Sequence, residues 1–148
     1  STGQDKVTFK IKTNPKADME EIKKISSGGE LCRIALAIKV TADKNKLSTL
    51  FFDEVDSGIG GAVSTAVGER LKRLGKNRQV CVITHSPQVA SLANNHLKVI
   101  KNQFETKLIK LDYNERTEEI ARMLSAKEIT QEAMDAAKKL LEQSKEIS

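Results

Sequence analysis

The sequence predicts an α/β domain with a mainly parallel sheet flanked by helices, an edge hairpin and C-terminal helices. Three observations carry that expectation. Apolar strand-like runs alternate with helical periodicities through the middle of the chain. The run Leu50-Phe51-Phe52 ends in two adjacent carboxylates, Asp53 and Glu54, which is how a buried parallel strand delivers acids to the edge of a sheet. A second run, Val80-Cys81-Val82-Ile83, leads in the same way to His85.

The elements follow in order. Val7, Phe9 and Ile11 alternate with polar residues, so 6–12 reads as an edge strand closed by Asn14-Pro15. A polar stretch to Lys24 precedes a helix over 29–44 with its face on Leu31, Ile34, Ala35, Ile38 and Ala42. The acid-bearing strand spans 48–53. Val63, Val67, Leu71 and Leu74 mark a helix from Gly60-Gly61 to Gly75, a suitable C-terminal glycine. Strand 79–84 brings in His85, and Ser86-Pro87 starts a short helix over 86–93. Leu97–Lys101 and Phe104–Leu111 read as a hairpin joined across Asn102-Gln103. Asn114 is expected to cap a helix to about Leu124, and Thr130 a last one with its face on Ala133, Ala137, Leu140, Leu141 and Ser144.

The 148 residues suit one domain, 1–148, with a usable core. Aromatic residues make up only 3% with no Trp, so that core must be mainly aliphatic. No apolar run approaches the length of a membrane span and the N-terminus is not signal-like, so a cytoplasmic protein without a membrane partner is expected. Cys32 and Cys81 lack metal-ligand spacing and read as buried reduced thiols. The formal charge of +5 is compatible with nucleic-acid contact, yet scattered lysine reads first as a solvated surface. Only if Lys10, Lys12 and Lys16 shared a face with Lys98, Lys101, Lys107 and Lys110 would a phosphate-tracking patch arise.

Three short segments carry candidate chemistry. Asp53 and Glu54 leave the strand on opposite sides of its pleat, so one could hold Mg²⁺ through water while the other orients and deprotonates an attacking water. A solvated strand end is the plain alternative. Asp56 adds a third carboxylate, and three acids so close repel one another unless a cation or N–H donors compensate them. Ser27-Gly28-Gly29 opens a helix whose free N–H groups and dipole favour an anion; an ordinary N-cap with Glu30 in the first turn fits those residues as well. His85, at the same sheet edge as Asp53 if the strands are parallel neighbours, could bond a terminal phosphate, although a lone histidine is more often a packing or surface residue.

The interval from Ser27 to Asp53 leaves room for a helix and a turn, and that from Asp53 to His85 for one crossover. In this order the segments resemble the second half of an ABC-type ATPase head: Ser27 to Glu30 match the signature motif, Leu50 to Glu54 the Walker B strand, Asp56 the D-loop and His85 the switch histidine. The wording Ser-Gly-Gly-Glu-Leu-x-Arg, then Phe-Asp-Glu-Val-Asp-Ser-Gly-Ile-Gly-Gly, then Ile-Thr-His-Ser-Pro-Gln-Val-Ala, is similar to the RecN family of bacterial DNA repair proteins, SMC-like ATPases. Glu118–Leu124 is also similar to that family, and the likeness covers roughly residues 7 to 147. Two departures, Cys32 where many relatives have Ser and Ser26 ahead of Ser27, remove no catalytic group.

The resemblance implies a partial P-loop NTPase fold and ATP hydrolysis at a site shared by two heads, in recombinational repair of DNA double-strand breaks. Asp53 would support Mg²⁺, Glu54 act as general base and His85 contact the γ-phosphate. Ser27, Gly28, Gly29 and Glu30 would reach the ATP held by the opposite subunit, with Asp56 at the seam. A P-loop needs G-x-x-x-x-G-K-[ST]; the only Gly-Lys here, Gly75-Lys76, is followed by Asn77 and has Arg70 where the first Gly belongs. The chain therefore looks like a C-terminal half-head. Its implied partners are the N-terminal P-loop half of the same protein, a second head in a homodimer, and DNA in the full-length protein, placed near the nucleoid. The alternatives are a non-catalytic half-head that only binds its partners, or a different SMC-like or ABC ATPase. A transporter half is disfavoured by Glu30-Leu31 after the glycines and by Gly58-Ile59-Gly60-Gly61.

Overall fold

In a computed structural model, residues 3, 7–12, 16, 18–24, 28–42, 49–125 and 127–147 are described. At the centre, β3 (Leu50–Asp53) and β4 (Val80–Ile83) run parallel, with Leu50 opposite Val80 and Asp53 opposite Ile83. Parallel neighbours need a crossover, and α2 (Gly61–Leu74) supplies it. Leu50 and Phe52 point to a core shared with Val67 and Leu71 of α2 and with Val55 and Val89. Each such side chain contributes about 1.5–3 kcal/mol when fully buried.

The alternate face of the pair is more exposed. Phe51 is 64% and Ile83 60% exposed, so these strands are better covered on one side than on the other, where their unbroken apolar runs suggest cover on both. Parallel sheets are stable with both faces covered, and the run of apolar residues is the composition of such a strand. Cys81, on the more exposed face, is a half-buried free thiol.

α1 (Gly28–Ala42) falls on the expected signature helix, whose last two positions lie outside the described residues, but its packing differs. Leu36 reaches the central core, whereas Leu31 and Ile38 of the expected face are 45% and 52% exposed. α2 closes on Gly75 at φ −65°, an ordinary right-handed conformation, so this glycine's left-handed freedom is not used. Gly68 has a different reason to be glycine: a Cβ there would lie 2.7 Å from Leu92 Cδ1 and 3.3 Å from Val89 Cα, which lets α2 approach α3 (Pro87–Leu92) closely.

The expected N-terminal edge strand shortens to β1 (Lys10–Ile11), paired antiparallel with β2 (Glu20–Glu21), a strand the polar sequence did not announce. Its register sets Lys10 opposite Glu21, a favourable cross-strand pairing of charges. A 3₁₀ turn, Ile22–Lys24, follows. The Asn14-Pro15 stop lies outside the described residues.

β5 (Leu97–Lys101) and β6 (Thr106–Lys110) form the expected hairpin, but the turn is longer than Asn102-Gln103. The Asn102 N–H donates to the Glu105 carbonyl at 3.0 Å, and Asn102 Oδ1 accepts from the N–H groups of Phe104 at 2.9 Å and Glu105 at 2.8 Å. The register also separates the lysines: Lys101 and Lys110 share one face with Leu97 and Leu108, while Lys98 and Lys107 share the other with Ile109. Lys98 is held by Glu119 at 2.5 Å and Lys107 by Glu105 at 2.6 Å. The four do not form a single phosphate-tracking face.

α4 (Tyr113–Leu124) is capped by Asp112, not Asn114. Asp112 Oδ1 accepts from the Glu115 N–H at 2.9 Å and Glu115 Oε2 accepts from the Asp112 N–H at 2.8 Å, a reciprocal capping box. Thr130 caps α5 (Gln131–Glu146) as expected, and Ala137, Leu141 and Ser144 are its buried face. Ile120 and Ala121 meet Ala137 and Leu141 in a second core. Arg116 fastens α4 to α3, one guanidinium nitrogen donating to the carbonyls of Ala90, Ser91 and Ala93 at 3.0, 2.8 and 2.5 Å, which satisfies the open C-terminus of that short helix.

Candidate nucleotide site at the ends of two parallel strands

Asp53, Glu54 and His85 leave the same edge of the sheet. Asp53 is the last residue of β3 and lies opposite Ile83, the last of β4; His85 follows two positions later. Pairing continues one step beyond the strands, because the Glu54 N–H donates to the Ile83 carbonyl at 3.0 Å. The side chains of all three are exposed at this edge.

Glu54 does not continue the pleat. Its φ of 46° is left-handed, a conformation that costs a non-glycine residue roughly 1–2 kcal/mol. Gly58, at φ 70°, supplies a second left-handed position four residues on. Between them the Ser57 N–H donates to the Glu54 carbonyl at 3.0 Å and the Ile59 N–H to the Asp56 carbonyl at 3.4 Å. These turns carry Asp56 inward, where it is only 3% exposed. The resemblance implied a place for Asp56 at the seam between heads; in this structure its Oδ2 accepts from the Thr84 hydroxyl, and among the described residues its Oδ1 is buried without a hydrogen-bond partner.

Thr84 is the participant that sequence reasoning missed. Its oxygen also accepts from the Ser86 N–H at 2.9 Å. A lone hydroxyl ahead of His85 carries no sequence signal; only the inward turn of Asp56 gives it a partner.

Gly28, Gly29 and Glu30 form the first turn of α1, as expected, and Ser27 lies outside the described residues. The helix joins the central core through Leu36, about two turns further along. The strand-end group and the glycine tip are therefore parts of separate elements.

The donor set suits a hard cation. Asp53 and Glu54 offer carboxylate oxygens, and among the described residues no cluster of three or more His, Cys, Asp or Glu side chains forms a protein cage. Carboxylate oxygens are the ligands Mg²⁺ takes, one or two of them together with waters and substrate phosphates.

No protein-family model matches the chain. Among curated proteins, it is 50% identical over 146 residues to the DNA repair protein RecN of Rickettsia felis, covering 95% of this chain and 27% of that protein. It is 44% identical over 144 residues to RecN of Vibrio cholerae, covering 94% of this chain and 26% of that one. The chain thus spans about a quarter of the length of the relatives it matches. Among solved structures, an SMC ATPase studied for ATP-driven dimerisation and DNA-stimulated activation superposes with a TM-score of 0.60 at 21% identity, over 76% of this chain and 70% of that one. The Smc head domain of Pyrococcus yayanosii, with its coiled coil and joint, gives 0.61 at 21% identity, over 73% of this chain and 21% of that one. Over nearly its whole length the chain is RecN-like in sequence, and it has the fold of part of an SMC ATPase head.

Proposed function

We propose that this chain supplies the C-terminal half of an ATP-binding and ATP-hydrolysing head in a RecN-like protein acting in recombinational repair of DNA double-strand breaks. The observation that carries the reading is the common edge from which Asp53, Glu54 and His85 emerge. Asp53 supports Mg²⁺, which when bound offsets charge on the phosphate oxygens. Glu54 orients the attacking water and takes its proton, and His85 donates a hydrogen bond to the γ-phosphate. The tip at Ser27, Gly28, Gly29 and Glu30 grips the triphosphate of a second head, so ATP joins the two heads and hydrolysis releases them.

The partners follow from what the chain leaves open. The N-terminal P-loop half packs on the side of the central pair where Ile83 is exposed, since parallel strands are usually covered on both faces. A second copy of the completed head forms the homodimer, and DNA binds the full-length protein. Among the described residues no helix is long and apolar enough to cross a membrane; the reading places the protein in the cytoplasm, with the nucleoid.

A second reading is favoured by the exposed apolar side chain of Ile83 on the central pair: the chain acts by itself only as an interaction module. One experiment separates the two. Mg-ATP hydrolysis is measured for the chain alone and after addition of a P-loop-bearing half; the proposal expects almost none alone and steady turnover in the mixture. A mixture that assembles but stays inactive would leave only the module.

A further inference from the structure

The two loops that leave the shared sheet edge are tied together beneath it by one carboxylate. Asp56, 3% exposed, accepts the Thr84 hydroxyl proton on Oδ2, and the same Thr84 oxygen accepts the Ser86 N–H at 2.9 Å. Ser86 is held a second time through its own hydroxyl, which accepts from the Val89 N–H at 3.4 Å and donates to Gln88 Oε1 at 3.0 Å. His85 therefore sits between two fixed neighbours while its own side chain is exposed.

Burying a carboxylic side chain with one of its oxygens unpaired costs stability. The left-handed backbone at Glu54 adds to that cost. Both costs are met in placing a single acceptor under Thr84. Holding the backbone on each side of His85 reduces the conformational freedom lost when the imidazole meets a phosphate.

We propose that Asp56 is a positioning residue: through Thr84 and the Ser86 amide it sets His85 level with Asp53 and Glu54, and does not itself bind nucleotide. The proposal rests on the hydrolytic reading of this edge given above.

The test uses the complete P-loop-containing head, with kcat and KM for Mg-ATP measured beside hydrogen exchange of the peptide spanning 83–89. Thr84→Val, nearly equal in volume, should speed exchange in that peptide and lower kcat by about 10- to 100-fold, with KM within about twofold. Thr84→Ser, which keeps the hydroxyl, should restore both. Asp56→Asn still offers an oxygen to Thr84 and should keep kcat within about threefold; a nucleotide or metal ligand would not survive loss of the charge. Wild-type kcat in Thr84→Val, failure of Thr84→Ser to rescue, or a raised KM with kcat intact would each overturn the positioning role. A wild-type head that binds but never hydrolyses ATP would instead overturn the hydrolytic reading, and the exchange contrast between Val and Ser would still report whether the tie exists.

Discussion

The Glu54 N–H donates to the Ile83 carbonyl at 3.0 Å, one residue beyond the last paired position of β3 and β4. That bond locks the two strand ends in step, so the loop carrying the acids and the loop carrying His85 begin at the same level. The left-handed turn at Glu54 then sends its side chain out and Asp56 in. Two carboxylates only two positions apart thereby differ in exposure, Glu54 exposed and Asp56 buried.

The proposed function gives the glycine-led tip of α1 a partner's nucleotide to hold. On that proposal Ser27→Arg should abolish ATP-dependent pairing of complete heads, with ATP affinity in a single head unchanged. Light scattering of the complete protein with and without ATP reads the first, and nucleotide titration the second. Pairing at the wild-type level would remove the tip from the interface.

Close approach of α2 and α3 depends on Gly68. Gly68→Val forces branched methyl groups against Leu92 and the Val89 backbone and should lower stability by about 1–3 kcal/mol, read from urea unfolding midpoints. An unchanged midpoint would mean the helices separate freely.

Two windows of acid sensitivity follow from buried groups around α4. Burial lowers the pKa of His96 from 6.5, with the nearby Arg116 charge acting in the same direction. The folded state thus binds fewer protons at His96 than the unfolded chain, and stability should begin to fall as pH drops below about 6.5. Burial pushes Glu119 upward, but its bonds to Arg122 and Lys98 outweigh burial and leave it below 4.5. Its contribution is complete above 4.5 and is lost as pH falls through the lower folded value. His96→Gln should flatten the first window and Glu119→Gln the second, in thermal melts taken between pH 8 and pH 3, roughly the span over which both groups titrate.

Much of this architecture is legible in the sequence because strand ends and helix caps are local signals. Leu50–Asp53 and Val80–Ile83 could be read from their apolar runs, and Asp53 and His85 share an edge once those strands pair in parallel, as they do. The Thr130 cap and the α5 face were equally direct. Asp112 was also legible: its spacing to Glu115 is that of a capping box, a stronger signal than the Asn114 side chain alone. The direction of Asp56 was not, because it depends on a left-handed Glu54, and no residue type announces that backbone outside glycine and asparagine. The exposure of Leu31, Ile38, Phe51 and Ile83 was hidden for another reason: periodicity marks a face as apolar without saying which chain covers it.

The central claim is that Glu54, standing beside Asp53 and His85 at one sheet edge, is the base of a hydrolytic site completed by a P-loop half. The most direct measurement is steady-state Mg-ATP turnover by the complete head with Glu54 or with Glu54→Gln, alongside ATP-dependent pairing of the same samples. The account predicts that the Gln variant loses about 100-fold or more in turnover while its ATP-bound heads remain associated. Turnover at the wild-type rate in that variant would contradict it.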